Sequence, residues 1–506
     1  MLQQDSIENI RNYKIIRFSN PIWKVKNIKE ILSMAIPIFI QLLFNVLIAQ
    51  INLIIINWYD NKSYADQVSR ATLAYVTFQF IPAFVAVGTI IVSGKLIGQG
   101  KKCELSKVVI SGIMVNVFIT LILVSLLDIF AKQMCAFVSP SDRVSQEDEK
   151  WIISFYRILN IQLLFSAILQ VLAAPLQALK KSKHVSIGAI ISNFVDITFV
   201  LLVLFVFHWS PLWVAGSVSL AVLFQIVYLT ILNKKFINFK INKGKQINFY
   251  YAKEMLITGA PITCEMMLYF ITTFVLSSCV ARIDIGTAYG KDTAITIYRN
   301  LNSIVQYLGA FTSALGTTSS VFVARKIGEG DAQGAYDSAI NCWKIGNYIL
   351  FSLAVVLVCA SWLVLKIFNT SDELINSYGY LFVFITCIRQ LFDVANMTIL
   401  RSLWAVGDLF TPIFISFITM GLAYVCAPLI IIFALHMDGI WALIIIQLIM
   451  ILDPLSRTII YLTRWVKLSW QKHIKSIDTK LSIPDSIGQE QELEIEKLKG
   501  KSKDDK

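Results

Sequence analysis

The chain has 506 residues, of which 56% are hydrophobic and 15% charged, with a formal net charge of +12 and a mean hydropathy of +0.66. That balance excludes an assembly of soluble domains, whose apolar and charged contents lie much closer together. The basic residues sit in tails and loops, which is the pattern of membrane orientation and contact with anionic lipid rather than of a nucleic-acid partner.

The apolar residues come in runs long enough to cross a hydrocarbon core of about 30 Å, which takes roughly 20 helical residues. Inside lipid every backbone N–H and C=O needs an internal partner, so consecutive long runs predict helices rather than a barrel. The first 28 residues are polar and basic, with no apolar core of a cleavable signal peptide. Six spans are then predicted at 32–58, 71–92, 108–129, 151–174, 185–207 and 212–232. A polar connector at 233–254, with Lys234, Lys235, Lys240, Lys243 and Lys245, separates them from six more. Those lie at 255–281, 297–323, 343–367, 377–404, 410–436 and 439–462.

The reading is an all-α membrane protein of twelve transmembrane helices. A basic tail (1–28), an N-terminal six-helix lobe (29–232), the connector (233–254), a C-terminal six-helix lobe (255–465) and a charged, disordered tail (466–506) follow in order. With twelve spans, both tails, the connector and the loops carrying Lys101, Lys102, Lys107 and Lys180, Lys181, Lys183 fall on one side. The opposite loop at 141–150 is mostly acidic. The positive-inside rule then predicts a multi-pass protein of the cell membrane with both termini in the cytoplasm.

The eight cysteines form no CxxC pair and the four histidines no HExxH motif, so neither a disulfide framework nor a zinc site is indicated. No resident metal or organic cofactor is expected.

The two halves repeat each other. Pro37 and Pro261 stand 224 positions apart, each early in the first span of its half. "KLIGQGKKCELSK" matches "RKIGEGDAQGAYD", pairing Gly100 with Gly330 at 230. "LQALKKSKHVSI" matches "LWAVGDLFTPIF", pairing Leu176 with Leu403 at 227. Gly-x-Gly alone is turn punctuation, but three matches in order at nearly constant spacing indicate a parallel duplication. Its pseudo-twofold axis runs along the membrane normal, as in secondary transporters with a site near the midplane.

On these segments, with the terminal "PLSRTIIYLTRWVKLSW", the chain resembles the multidrug and toxic compound extrusion (MATE) family over about residues 30–465. The resemblance implies two pseudo-symmetric lobes forming a V around a central cavity. It also implies exchange of organic, often cationic, compounds for sodium ions or protons. This chain departs from the family pattern at three places. Asn52 stands where the first span usually has an Asp, Trp404 where an Arg is usual, and Asn57 where a glycine normally ends the first span.

Carboxylates within a bilayer need a partner, a proton or a cavity. Asp393 lies ten residues before Leu403, where the resemblance puts the tenth-span acid of the sodium-coupled branch. A low-dielectric setting disfavours its bare charge and a bound cation restores it. The plain alternative is an ion pair with Arg389 one turn earlier. Glu265 follows Pro261 by four residues, where the broken backbone ladder frees carbonyls for a cation. The family's acid falls one turn further on, at Tyr269. Asp196 shares a helical face with Asn193; the resemblance matches Asn193 but puts the acid of archaeal-type members one residue later, and Asp196 is read as the N-terminal lobe's surviving proton site. The cation-coupling set is thus Asp393, Glu265, Asp196 and Asn193, with a transient sodium ion at Asp393 and Glu265. Asp453, beside Pro454, is read as a helix-end residue pairing with Arg457.

Uncharged polar groups at Asn52, Gln306, Asn302 and Asn396, with Tyr269, form the predicted substrate cavity. Gln50, Gln79 and Asn160 serve equally as glue between helices. Phe44, Phe270, Tyr298 and Tyr307 suit lipophilic cations or plain packing. The expected function is a cation-coupled exporter of organic compounds, acting as a monomer in the lipid bilayer and not as an enzyme. A flippase for a lipid-linked saccharide is the alternative, for which only Arg157, Arg299 and Arg389 are available to a pyrophosphate. A membrane-embedded enzyme would need a clustered catalytic set that the sequence does not contain.

Overall fold

In a computed structural model the described residues are 13–17, 21, 24–59, 63–138, 146–239, 247–286, 293–368 and 370–474. Every regular element among them is helical. Ten helices are long and apolar enough to cross a membrane. The first is Ile28–Tyr59. The third to seventh are Lys102–Ile129, Gln146–Ala178, Ser182–Val206, Pro211–Phe236 and Phe249–Val280. The ninth to twelfth are Ala332–Cys359, Asp372–Val406, Phe410–Ala434 and Gly439–Val466.

The second and eighth expected spans complete the twelve but differ in kind. The second is two helices, Ser63–Thr77 and Ala83–Gly98. Between them the backbone tightens to i→i−3 bonds, Phe78 to Tyr75, Gln79 to Val76 and Ile81 to Phe78. Pro82 is the cause: it has no N–H to give and crowds the turn before it. The eighth, Ala294–Glu329, has 36 residues, about 54 Å at 1.5 Å per residue. It is more polar than the other spans and faces protein on most sides, packing against the first, second, ninth and tenth spans.

The pairing of helices repeats across the halves. The second span packs on the fourth as the eighth does on the tenth, and the fourth on the sixth as the tenth on the twelfth. The third packs on the fourth as the ninth on the tenth. Between lobes, the first span meets the eighth and the seventh meets the second, while the second and eighth meet each other. Adding six to every number maps this set onto itself, as a twofold relation requires.

The second and eighth spans cross in backbone contact. A Cβ on Gly98 would lie 2.1 Å from the Arg325 carbonyl, and one on Gly328 would lie 2.2 Å from the Lys95 carbonyl. Lys95 and Arg325, like Gly98 and Gly328, are 230 positions apart, so each glycine receives the other helix's equivalent backbone. Gly100 and Gly330 end the two helices at φ +78° and +81°, the left-handed region that glycine enters without strain.

Both tails hold more structure than composition suggests. Ile15 is buried with Tyr336, Trp465 and Trp470. The Ile16 N–H donates to Gln333 Oε1 (2.9 Å), and Gln333 Nε2 returns a bond to the Ile16 carbonyl (3.2 Å). Lys344 Nζ donates to the Pro21 carbonyl at 3.0 Å and the Lys24 carbonyl at 3.4 Å. The described residues before the first span, 13–17, 21 and 24–27, therefore lie as a strap on the C-terminal lobe. At the other end the chain stays folded past 466. Trp470 stacks on Trp465 with centroids 4.7 Å apart, and Ile474 is buried. Lys240, Lys243 and Lys245 of the connector lie outside the described residues, as does the tail after Ile474.

Candidate functional site

Two polar clusters lie inside the helical bundle, one per lobe. In the N-terminal lobe the fifth span carries Asp196, buried at 2% exposure. Asn52 of the first span donates its amide to Asp196 Oδ2 at 2.7 Å. Ser217 of the sixth span donates its hydroxyl to Oδ1 at 2.5 Å. Three helices thus converge on one carboxylate, and no cationic side chain among the described residues forms an ion pair with it. Asn193 stands one turn before Asp196, half-buried. Its Nδ2 and the Asn52 Oδ1 have no hydrogen-bond partner, so the site keeps a spare donor and a spare acceptor. Asn52, expected in the substrate cavity, belongs instead to the carboxylate.

In the C-terminal lobe Glu265, on the seventh span, is buried at 5% exposure. Its Oε1 accepts from the Ser416 hydroxyl of the eleventh span at 2.6 Å, and Arg457 Nη1 lies 3.7 Å away. Ser416 in turn meets the Tyr461 hydroxyl at 2.9 Å, and Tyr461 donates to the Pro412 carbonyl at 3.0 Å. Arg457 Nη2 donates to Asp453 Oδ2 at 2.5 Å. The pairing of Asp453 with Arg457 is as the sequence suggested, but its setting is not. Asp453 is buried at 1% exposure inside the twelfth helix, so it belongs to the charged core of the lobe and not to a helix end.

Asp393, on the tenth span, is half-buried and accepts from Asn396 at 3.3 Å. The alternative reading, an ion pair with Arg389, is not among the ion pairs of the described residues. The Arg389 guanidinium lies over the Tyr424 ring, 5.7 Å from its centroid. Arg457 and Arg389 both act electrostatically on Asp393, and Arg401 acts on Asp393 and Glu265. Arg401 itself is anchored to the eighth span, donating to the Ser313 carbonyl at 3.2 Å and Thr317 Oγ1 at 2.5 Å.

Of the remaining cavity residues, only Asn396 joins an acid. Asn302 is half-buried and Gln306 exposed on the eighth span, and Tyr269 is exposed at 36% on the seventh. Between the lobes the Tyr307 hydroxyl donates to Gln50 at 2.7 Å, and Phe80 stacks on Phe270 with centroids 6.1 Å apart. Asn160 is buried and donates to Asp128 at 2.7 Å. The arginines considered for a pyrophosphate are not gathered. Arg157 is exposed and donates to the Asp128 carbonyl, Arg299 is exposed, and Arg389 is buried.

Sequence reasoning missed Arg401 and undervalued Arg457. A signal existed for the second: Asp453 and Arg457, at i and i+4 in an apolar run, must pair away from lipid because neither charge is affordable there alone. Nothing in the sequence marked Arg401 or Ser416, whose partners lie 84 and 151 positions away.

Comparison with known proteins agrees with this architecture. The MatE family model matches residues 37–202 and 261–429, its two segments beginning at the paired prolines. The chain is 23% identical over 455 residues to the uncharacterized transporter YisQ of Bacillus subtilis, covering 87% of this chain and 94% of that one. A MOP superfamily transporter from Pyrococcus furiosus matches with a TM-score of 0.73 at 13% identity, covering 90% of this chain and 99% of its own. A mutant of the Vibrio cholerae MATE transporter VcmN matches with a TM-score of 0.74 at 12% identity, covering 92% and 100%. Twelve helices in two paired six-helix halves, with the family model spanning both, make this chain a member of the MatE family, a multi-pass membrane efflux transporter.

Proposed function

We propose that this transporter exports organic, cationic compounds across the cell membrane in exchange for sodium ions or protons, and that the driving cation is taken at Asp196. The observation carrying the reading is the state of that carboxylate. It is buried, held by the Asn52 amide and the Ser217 hydroxyl, and among the described residues no guanidinium or ammonium pairs with it. A lone acid within a membrane is stable only with a proton, a cation or water at hand. Exchange then follows from differential affinity: an arrangement of the lobe that holds the cation at Asp196 gives way to one in which it leaves.

The expectation that the cation binds at Asp393 and Glu265 rested on the spacing of Asp393 and on Asn52 standing where the first span usually has an acid. Three arginines stand around those acids, so the charge balance favours the other lobe. The scatter of Arg157, Arg299 and Arg389, two exposed and one buried, works against a pyrophosphate cradle. The Lys distribution supports placing both termini and the connector in the cytoplasm.

Proteoliposomes with sodium and pH gradients imposed separately test the reading. Asp196→Asn should abolish export driven by whichever gradient powers the wild type, with the protein still folded in the membrane. Full coupled export by Asp196→Asn would refute this assignment of the site.

A further inference from the structure

Three acids, Glu265, Asp393 and Asp453, and three arginines, Arg389, Arg401 and Arg457, lie within membrane-spanning helices of one lobe. With all six ionised the cluster is neutral. The three arginines are not equivalent. Arg389 rests on the Tyr424 ring, and Arg401 is bonded to neutral oxygens of the eighth span. Arg457 alone touches carboxylates, bonded to Asp453 at 2.5 Å and 3.7 Å from Glu265, and is buried at 6% exposure. It also bears on Asp393 across the tenth and twelfth spans, which the Thr458 hydroxyl braces by donating to the Phe392 carbonyl at 2.7 Å.

The acids are only half used by this arrangement. Glu265 Oε2 and Asp453 Oδ1 are buried without a hydrogen-bond partner. Such oxygens are costly in a bilayer and are the ligands a small hard cation takes. A cation entering now would be a fourth positive charge against three negative ones, in a medium that screens little. Without the guanidinium, the same oxygens would surround a net negative site.

We propose that Arg457 is the resident counter-ion of the C-terminal lobe: it holds the place of a driving cation, and the lobe binds none while Arg457 is there. The two acids of the expected coupling set thereby become the tether of an internal charge. The inference rests on reading the chain as a cation-coupled exporter, but its test reads binding and not transport.

The full chain is purified in lipid nanodiscs, and saturable retention of radiolabelled sodium is measured with Asp196→Asn as background. That background should retain none. Adding Arg457→Gln should bring in saturable retention about tenfold above the non-saturable level, by leaving one negative charge in excess. Adding Arg457→Lys, which keeps the charge, should raise nothing. Nor should the pair Asp453→Asn with Arg457→Gln, which removes one charge of each sign. A folded Arg457→Gln chain that gains no sodium overturns the proposal. So does saturable sodium in the background chain that Asp393→Asn removes, an arm that decides the matter even where Arg457→Gln fails to fold. Absence of gradient-driven export by the wild type would overturn the functional reading and leave these binding arms standing.

Discussion

Asp196 and Asp453 are both carboxylates buried to 2% exposure or less, and their neighbours differ by one charge. Asp453 has a guanidinium at 2.5 Å, whereas Asp196 has an amide and a hydroxyl. Neutral donors stabilise an anion without cancelling it, so only Asp196 still gains from a mobile cation. Asn52 sets how strongly. Asn52→Asp would put two carboxylates at hydrogen-bond distance, which cannot both stay ionised without a cation between them. We expect the half-saturating concentration of the driving cation to fall about tenfold, read from the initial rate of export against sodium or proton concentration. An unchanged value would mean that the cation does not visit Asp196. The resemblance to a family with an acid at this position flagged Asn52 from the sequence. Its bond to a residue 144 positions later was not legible, because a hydrogen bond between spans depends on how they pack.

At the scale of elements, the strap before the first span has the least expected role. Its residues read as a polar tail, yet Ile15 is buried and Lys344 spends its charge on two strap carbonyls. Hydrogen bonds from a charged donor are worth about 1.5–3 kcal/mol each. Lys344→Met keeps the side chain's bulk and removes those bonds. Limited proteolysis of the chain in detergent should then cut within residues 13–27 about tenfold faster, as local opening becomes easier. Cutting at the wild-type rate would show that Ile15 and Gln333 suffice. The broken second span and the polar eighth span follow the same lesson from opposite directions. Pro82 marked the first locally. The polarity of the second makes sense only once its neighbours are known to be helices and not lipid.

At the scale of the whole molecule, the two lobes meet with their backbones nearly touching where Gly98 and Gly328 cross, at the end that carries the connector. No side chain fits there, so a methyl group at either glycine forces the helices apart. The contact is reciprocal, and Gly98→Val and Gly328→Val should therefore act alike. In a chain cleared of its native cysteines, each should speed aqueous labelling of a cysteine placed at Ala324 about tenfold, since that position is otherwise sealed against Gly94. If only one of the two glycines matters, the twofold description of the seam is wrong.

The sequence by itself determined what depends on length, order and composition. Runs of about 20 apolar residues must be helices in lipid, and three motifs in constant register must reflect two equivalent halves. Both inferences use only the order of residues along the chain, so no packing is needed to make them. Tertiary structure decided which charges meet. Glu265, Ser416 and Arg457 come from the seventh, eleventh and twelfth helices, and their contact depends on helix rotation and crossing, which periodicity does not encode. A buried acid reads the same in sequence whether it is balanced, as Asp453 is, or left open, as Asp196 is. Only the fold supplies or withholds the opposite charge, and in the proposed function that difference separates a structural ion pair from the site that takes the driving cation.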